Sequence, residues 1–237
     1  MTVTSPHNEK LKLVRRLRDR KHRDREGLFV AEGEDLLKAG RAAGLEPELV
    51  LSATGSGLGG VEVAPDALAS ASELGSGTRV ISLWAQAWRE PMGPVCVYLD
   101  GVGDPGNVGT IVRTAHALVD GSVVLGPNCA DPHSHKAVRA SMGSIFAQPV
   151  ARGGVGETPR PRVALVAHGG SEPETVAPPL TLCLGAEREG LSEEVLTACE
   201  HRWTVPLREG GAESLNVAAA AAIALGRISS ARPEGAS

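Results

Sequence analysis

Hydrophobic and polar positions follow two rhythms along this chain, and each predicts a different kind of element. In "NEKLKLVRRLRDRK" Leu11, Val14 and Leu17 recur every third position among charges, the stripe of one amphipathic, basic helix. "GLFVAEG" reads as a short strand ending in a glycine turn, and "EDLLKAGRAAGL" as a helix closed by Gly44. "ELVLSA", "VEVA" and "RVISL" are further strands, with "APDALASASEL" a helix before the last. Strands alternating with helices make a small α/β layer structure. Around "QAWREPMGP" the rhythm lapses, since Pro91, Gly93 and Pro94 interrupt any regular element. The boundary is therefore set there, giving a domain over residues 1–90 and another over 91–237.

The second domain opens with "PVCVYLD", a continuous apolar run suited to a strand buried on both faces of a parallel sheet. "PGNVGTIVRTAHALV" and "SHKAVRASMGSIF" follow as helices, separated by the strand "SVVLG". "QPVA", "RVALVA", "LTLCLG" and "WTVPL" read as strands, "SEEVLTACE" and "SLNVAAAAAIALGRIS" as helices. The expected fold class is α/β, with a mostly parallel sheet in this half. "SATGSGLGG" is a loop, and the polar tail "ARPEGAS" is expected to fray.

Bulk composition narrows the setting. The 237 residues are 42% hydrophobic and only 3% aromatic, so the cores close through small side chains. No apolar run reaches the roughly 18 residues of a membrane helix, and the N-terminus has no apolar stretch after its charges. A cytoplasmic protein is expected. Cys96, Cys129, Cys183 and Cys199 stand far apart, without a CxxC pair. They are expected to be reduced and buried, with no metal bound. His133 and His135 are taken as incidental members of a variable loop.

Charge changes the picture more. The net charge is -4, yet between Lys10 and Arg25 nine basic residues face two acids. The nine are Lys10, Lys12, Arg15, Arg16, Arg18, Arg20, Lys21, Arg23 and Arg25. Like charges at this density repel unless a polyanion compensates them, so this stretch is expected to contact RNA phosphates.

Candidate chemistry sits in the second half. Gly101-x-Gly103-x-x-Gly106 has the spacing of a dinucleotide fingerprint, but the following strand ends "VVLGPN", without the acid that would hold a ribose. Asp104 can cap the next helix and Pro105 can occupy its first turn. Gly109 and Arg113 lie one turn apart on that helix, with Asn107 at its start. "LCLGAEREGLS" brings Glu187 to the C-terminal end of a strand, where open α/β sheets place ligands. "VPLREGGAESLNVA" repeats the logic, with Ser214 expected at a helix N-cap and Asn216 in the first turn.

Together, "DPGNVGTIVRTA", "LGAEREGLS" and "VPLREGGAESLNVA" resemble the three motifs of the SpoU/TrmH family of RNA ribose 2′-O-methyltransferases, in the SPOUT superfamily. "VRASMGSIFAQPV" is similar to the run between the first two, and "KLVRRLRDRKHRDREGLFVAEGEDLL" resembles the substrate-binding domain that precedes the catalytic one. The likeness spans nearly all of residues 95–230. Two departures stand out: Ala186 where Asn or Ser is frequent, and Arg188 where Gly is frequent.

The resemblance implies a catalytic domain with a C-terminal trefoil knot, a homodimer with its site near the interface, and no metal. It implies S-adenosylmethionine held by Leu184, Gly185, Glu187, Val205, Pro206, Leu207, Ser214, Leu215, Asn216 and Ala218. Arg113 would hold the acceptor phosphate or hydroxyl, with Asn107, Glu187, Ser214 and Asn216 positioning it and the ribose. Ribosomal RNA ranks ahead of transfer RNA as substrate, and a non-catalytic RNA-binding or ribosome-assembly factor on the same fold is the alternative.

Overall fold

The computed structural model describes residues 2–75, 77–174 and 176–229; the expected frayed tail lies outside them. The chain divides into two compact units, Met1–Gln86 with Asp131–Ala147, and Ala87–Ala130 with Gln148–Ser237. The first thus takes in a segment that sequence pattern assigns to the second half.

In the first unit, Leu11, Val14 and Leu17 are fully or almost fully buried, as the apolar stripe predicts, against Val30, Leu51, Leu68, Ile81 and Leu83. The basic stretch is two helices rather than one: α1 (Glu9–Arg16) and α2 (Arg20–Glu26). Asp19 divides them, because its side chain accepts from the Lys21 amide and caps α2. A four-stranded sheet follows the order β1 (Leu28–Glu32), β4 (Val80–Ala85), β2 (Leu49–Ala53), β3 (Val61–Val63). The β1–β4 and β2–β4 pairs are antiparallel and β2–β3 is parallel. Helix α3 spans Glu34–Ala42, and α4 (Pro65–Ala69) is shorter than its sequence suggests.

Residues 131–147 complete this unit through buried polar and aromatic contacts. Asp131 receives the Arg23 guanidinium at 2.7 and 2.8 Å. His135 meets Glu73 at 2.8 Å, and the rings of His133 and Phe146 lie against Phe29 and Trp84. Here "SHKAVRASMGSIF" is not one helix. Helix α6 (His135–Ala140) stops before Met142 and Gly143, both with positive φ, and a 3-10 turn covers Ser144–Phe146. A Cβ on Gly143 would lie 2.5 Å from that of Ala39, so the turn can approach α3 only with glycine there.

The second unit is built on a seven-stranded sheet of order β11-β9-β10-β6-β7-β8-β5, every pair of which is parallel. Its middle strands, β6 (Val95–Asp100) and β10 (Leu180–Gly185), are apolar and buried almost throughout, as "PVCVYLD" and "LTLCLG" predict. Around them stand β7 (Val123–Leu125), β8 (Val150–Arg152), β9 (Arg162–Leu165) and β11 (His201–Trp203). A two-residue edge strand, β5 (Trp88–Arg89), pairs with β8 inside the stretch read as irregular. Strand β11 ends at Trp203, four residues before the end of "WTVPL", so Val205–Leu207 lie beyond the sheet.

Register decides where a site can form. Leu99, Leu184, Leu165 and Trp203 stand level in four neighbouring strands. Their C-terminal ends therefore release four loops side by side, where open parallel sheets bind ligands. Helix α5 (Pro105–Leu118) follows β6 and packs along α8 (Val217–Ser229), while α7 (Glu193–Ala198) follows β10.

Candidate active site

Helix α5 starts as its sequence dictates: Asp104 accepts from the Asn107 amide at 3.0 Å, and Pro105 fills the first turn. This cap fixes Asn107 beside the loop that leaves β10. There Ala186 and Gly190 exchange two backbone hydrogen bonds of 3.0 Å, closing a turn with Glu187 at its rim. Gly185 is required by this turn, since a Cβ would stand 2.2 Å from the Gly190 carbonyl carbon.

Three of the polar residues singled out in the sequence converge. Asn107 Nδ2 donates to Glu187 Oε1 at 2.6 Å, and Asn107 Oδ1 accepts from Asn216 Nδ2 at 3.0 Å. Asn216 Oδ1 in turn accepts from the amides of Ala218 and Ala219. Asn216 is therefore the N-cap of α8. Ser214 lies two residues too early and is exposed in the loop, which corrects the cap expected from sequence. Glu187, Asn107 and Asn216 thus tie together the three motif loops.

Beside this bridge opens a cleft whose empty space, open mouth included, is about 670 Å³. Leu184, Gly185, Glu187, Val205, Leu207, Ser214 and Leu215 line it, all of them expected there. Pro206, Asn216 and Ala218 do not line it. Sequence reasoning missed the wall formed by Leu165, Val166 and Ala167, and missed Ala186, Val217 and Ala220. The "RVALVA" run carries no polar signal, and only the neighbouring position of β9 and β10 brings it to the cleft.

Arg113 is not gathered into this group. It is exposed on α5, makes no side-chain hydrogen bond or ion pair among the described residues, and is not among the cleft-lining residues. The basic stretch also needs correction. Arg23 is 4% exposed, and besides meeting Asp131 it donates to the carbonyls of Leu17 and Arg18. Such a side chain is committed to the fold and is not open to phosphate. Lys10, Lys12, Arg16, Arg18, Arg20, Lys21 and Arg25 are exposed, and Arg15 is half-buried. His133 and His135 are structural, in the contacts described above. Among the described residues no group of three or more His, Cys, Asp or Glu could hold a metal ion, and no helix is long and apolar enough to cross a membrane.

The walls fit an adenosyl sulfonium compound. Aliphatic side chains offer faces for a purine and a thioether, strand ends offer backbone amides and carbonyls, and Ser214 and Glu187 supply polar groups for a charged amino acid portion.

Comparisons with known proteins agree with this geometry. Residues 94–226 match the SpoU rRNA Methylase family, and residues 8–85 match the MRM3-like substrate binding domain. A Bacillus subtilis (strain 168) protein named 23S rRNA (guanosine(2553)-2'-O)-methyltransferase RlmP is 30% identical over 93% of this chain and 96% of its own. A Streptomyces viridochromogenes 23S rRNA (uridine(2479)-2'-O)-methyltransferase is 34% identical over 53% of this chain and 48% of its own. The solved AdoMet-bound rRNA methyltransferase of Sinorhizobium meliloti superposes with a TM-score of 0.82 at 29% identity, covering 95% of both chains. The SpoU methyltransferase AviRb of Streptomyces viridochromogenes, in complex with AdoMet, gives 0.81 at 26% identity over 92% of this chain and 96% of its own.

Proposed function

Because the chain belongs to the SpoU rRNA methylase family, we propose that it methylates the 2′-hydroxyl of a ribose in ribosomal RNA, using S-adenosylmethionine. The observation that carries this reading is the cleft at the level ends of β9 and β10, with the Glu187–Asn107–Asn216 bridge at its side. When bound, S-adenosylmethionine supplies a methyl group on a sulfonium, open to attack by an oxygen nucleophile.

The chain's own residues do the rest. Leu184, Gly185, Val205, Leu207 and Leu215 hold the adenosyl portion, and the turn closed by Gly190 keeps Glu187 at the rim. Pro206 and Ala218 act by shaping the loop and the first turn of α8. The acceptor hydroxyl must be aligned with the methyl carbon and relieved of its proton as the new bond forms. A guanidinium stays protonated at any working pH, so Arg113 serves by holding the acceptor phosphate or hydroxyl and stabilising the charge that develops there. Ser214, free in the loop, and the bridged Asn107, Glu187 and Asn216 position the ribose. These residues carry the step without a metal ion.

The working form in this reading is a homodimer sharing the C-terminal knot of its family. Arg113 is exposed, has no side-chain hydrogen bond or ion pair among the described residues and lies outside the cleft of its own chain, so a second copy is what would present it to a cleft. The first unit binds the RNA substrate through the exposed lysines and arginines of α1 and α2, acting in the cytoplasm. To test the substrate class, the purified protein is incubated with methyl-labelled S-adenosylmethionine and RNA fractions from cells lacking the gene. Label in 23S or 16S RNA is expected. Label confined to transfer RNA would replace the substrate, and tight RNA binding without label would favour the non-catalytic factor.

A further inference from the structure

We propose that Arg152, held over the ring of Trp88, is an RNA contact of the second unit, taking a backbone phosphate of the strand whose ribose is presented at the cleft. The inference deepens the proposed RNA methylation and rests on that reading for the identity of the anion.

The pair lies at the edge of the seven-stranded sheet. Strand β5 runs parallel to β8, with Trp88 opposite Val150 and Arg89 opposite Ala151. Opposed residues share a face and successive ones alternate. Trp88, Val150 and Arg152 therefore belong to one face and Arg89 to the other. The guanidinium carbon of Arg152 stands 3.8 Å from the centre of the Trp88 ring, where the ring quadrupole attracts the cation. Arg152 is exposed and Trp88 is half-buried. The other aromatic residues of this unit, Tyr98 and Trp203, are buried in its core. Trp88 is thus the one aromatic residue this unit keeps near its surface, and a cation covers it.

Register puts this cation on the same rim as the cleft. Leu184 pairs with Leu99, Leu99 with Leu125, and Leu125 with Arg152. The row of residues that includes the cleft wall at Leu165 and Leu184 therefore ends, three strands beyond Leu184, in Arg152. Trp203, Leu165, Leu184, Leu99 and Leu125 are uncharged, so Arg152 is the charged member of the row. Strands lie about 4.8 Å apart, which separates Arg152 from Leu184 by about 14 Å. The loop that follows is pinned: the Gly153 amide donates to the Leu125 carbonyl at 3.3 Å and the Gly154 amide to Glu157 at 2.6 Å. A strand presenting one ribose at the cleft carries phosphates on both sides of it, and a fixed cation on the same rim meets one within a few nucleotides.

The chemistry favours a phosphate over a base. A guanidinium stays charged and presents a planar fork of N–H donors that fits phosphate oxygens in pairs. Resting against the indole, the side chain has less freedom to lose when the fork closes on an anion. The cation also covers the ring face on which a base would stack. A contact of this kind fixes the register of the strand and adds affinity without reading sequence.

The test uses the full chain, with 23S RNA from cells lacking the gene as the probe. Binding is titrated across a salt series, and methyl transfer, S-adenosylmethionine binding and melting temperature are measured in parallel. Arg152→Ala should reduce the slope of log K against log salt by roughly 0.7–0.9, the share of one phosphate. It should raise KM for RNA about tenfold and leave kcat, cofactor affinity and melting temperature unchanged. Trp88→Ala keeps the charge but releases it, so affinity should fall about two- to fivefold at an unchanged slope, and Trp88→Phe should restore most of the loss. Arg89, exposed on the opposite face, is the control, and Arg89→Ala should leave slope and KM as in wild type. An unaltered slope in Arg152→Ala, an equal reduction in Arg89→Ala, or an effect that appears only with a lowered melting temperature would overturn the proposal. Wild type that binds this RNA without labelling it would defeat the methylation reading, with the slope still deciding the phosphate contact; wild type that does not bind it would overturn both.

Discussion

Asn107 donates to Glu187 at 2.6 Å across 80 positions of sequence, and the same amide accepts from Asn216 on its other side. One side chain therefore sets the spacing of three loops. Asn107→Ala removes both bonds and should lower kcat/KM for methyl transfer by about 10- to 100-fold, with a melting temperature close to wild type because the bridge is largely exposed. The two loop residues behind it should separate. Asn216→Ala loses the α8 cap as well as the bridge and should cost about 1 kcal/mol of stability. Ser214→Ala should leave stability unchanged and affect only activity. Equal stability losses in both would contradict the cap assignment.

Arg23 and Asp131 form a nearly buried pair at 2.7 Å. Removing one partner strands a charge, so Arg23→Ala should destabilise the protein by about 3–5 kcal/mol. The double replacement by Met at Arg23 and Leu at Asp131 should recover part of that loss. Urea unfolding checks both, and a loss below about 1 kcal/mol for Arg23→Ala would show the pair to be solvated.

Exposed basic residues on α1 and α2 should set the salt dependence of RNA binding. Neutralising Lys10, Lys12, Arg16, Arg20, Lys21 and Arg25 together should flatten the slope of log K against log salt by roughly 0.7–0.9 for each phosphate that no longer meets a cation. Affinity for S-adenosylmethionine should not change. An unaltered slope would move RNA binding to other surfaces.

Much of the fold is legible in the sequence, and what is hidden has one cause. The stripe of Leu11, Val14 and Leu17, the apolar run of Val95–Asp100 and the Asp104–Pro105 helix start are local, and local pattern suffices for them. Arg23 is different: its partner lies 108 residues away, so a basic run gives no sign of a buried member. The cleft wall at Leu165–Ala167 likewise depends on strand order, which periodicity does not encode. Ser214 and Asn216 are both good caps by residue type, and only the start of α8 at Val217 decides between them. The break at Met142–Gly143 turns on a close approach to Ala39, again a tertiary fact.

Arg113 outside its own cleft makes a mixing experiment informative. Arg113→Ala keeps an intact cleft, and Gly185→Val has a ruined cleft with an intact arginine; each alone should be inactive. In a homodimer where Arg113 serves the partner's cleft, random mixing yields one working site in half of the dimers. Activity should return to about a quarter of wild type. No recovery on mixing, with exchange of subunits verified, would place Arg113 in its own cleft.

The most direct measurement identifies the atom that receives the methyl group. RNA labelled by the wild-type protein is hydrolysed with alkali and the products are separated, alongside RNA treated with Arg113→Ala. A 2′-O-methyl blocks cleavage at its own linkage, so the account predicts label in alkali-resistant dinucleotides and none with the variant. Label in ordinary mononucleotides would mean a methylated base and would contradict it.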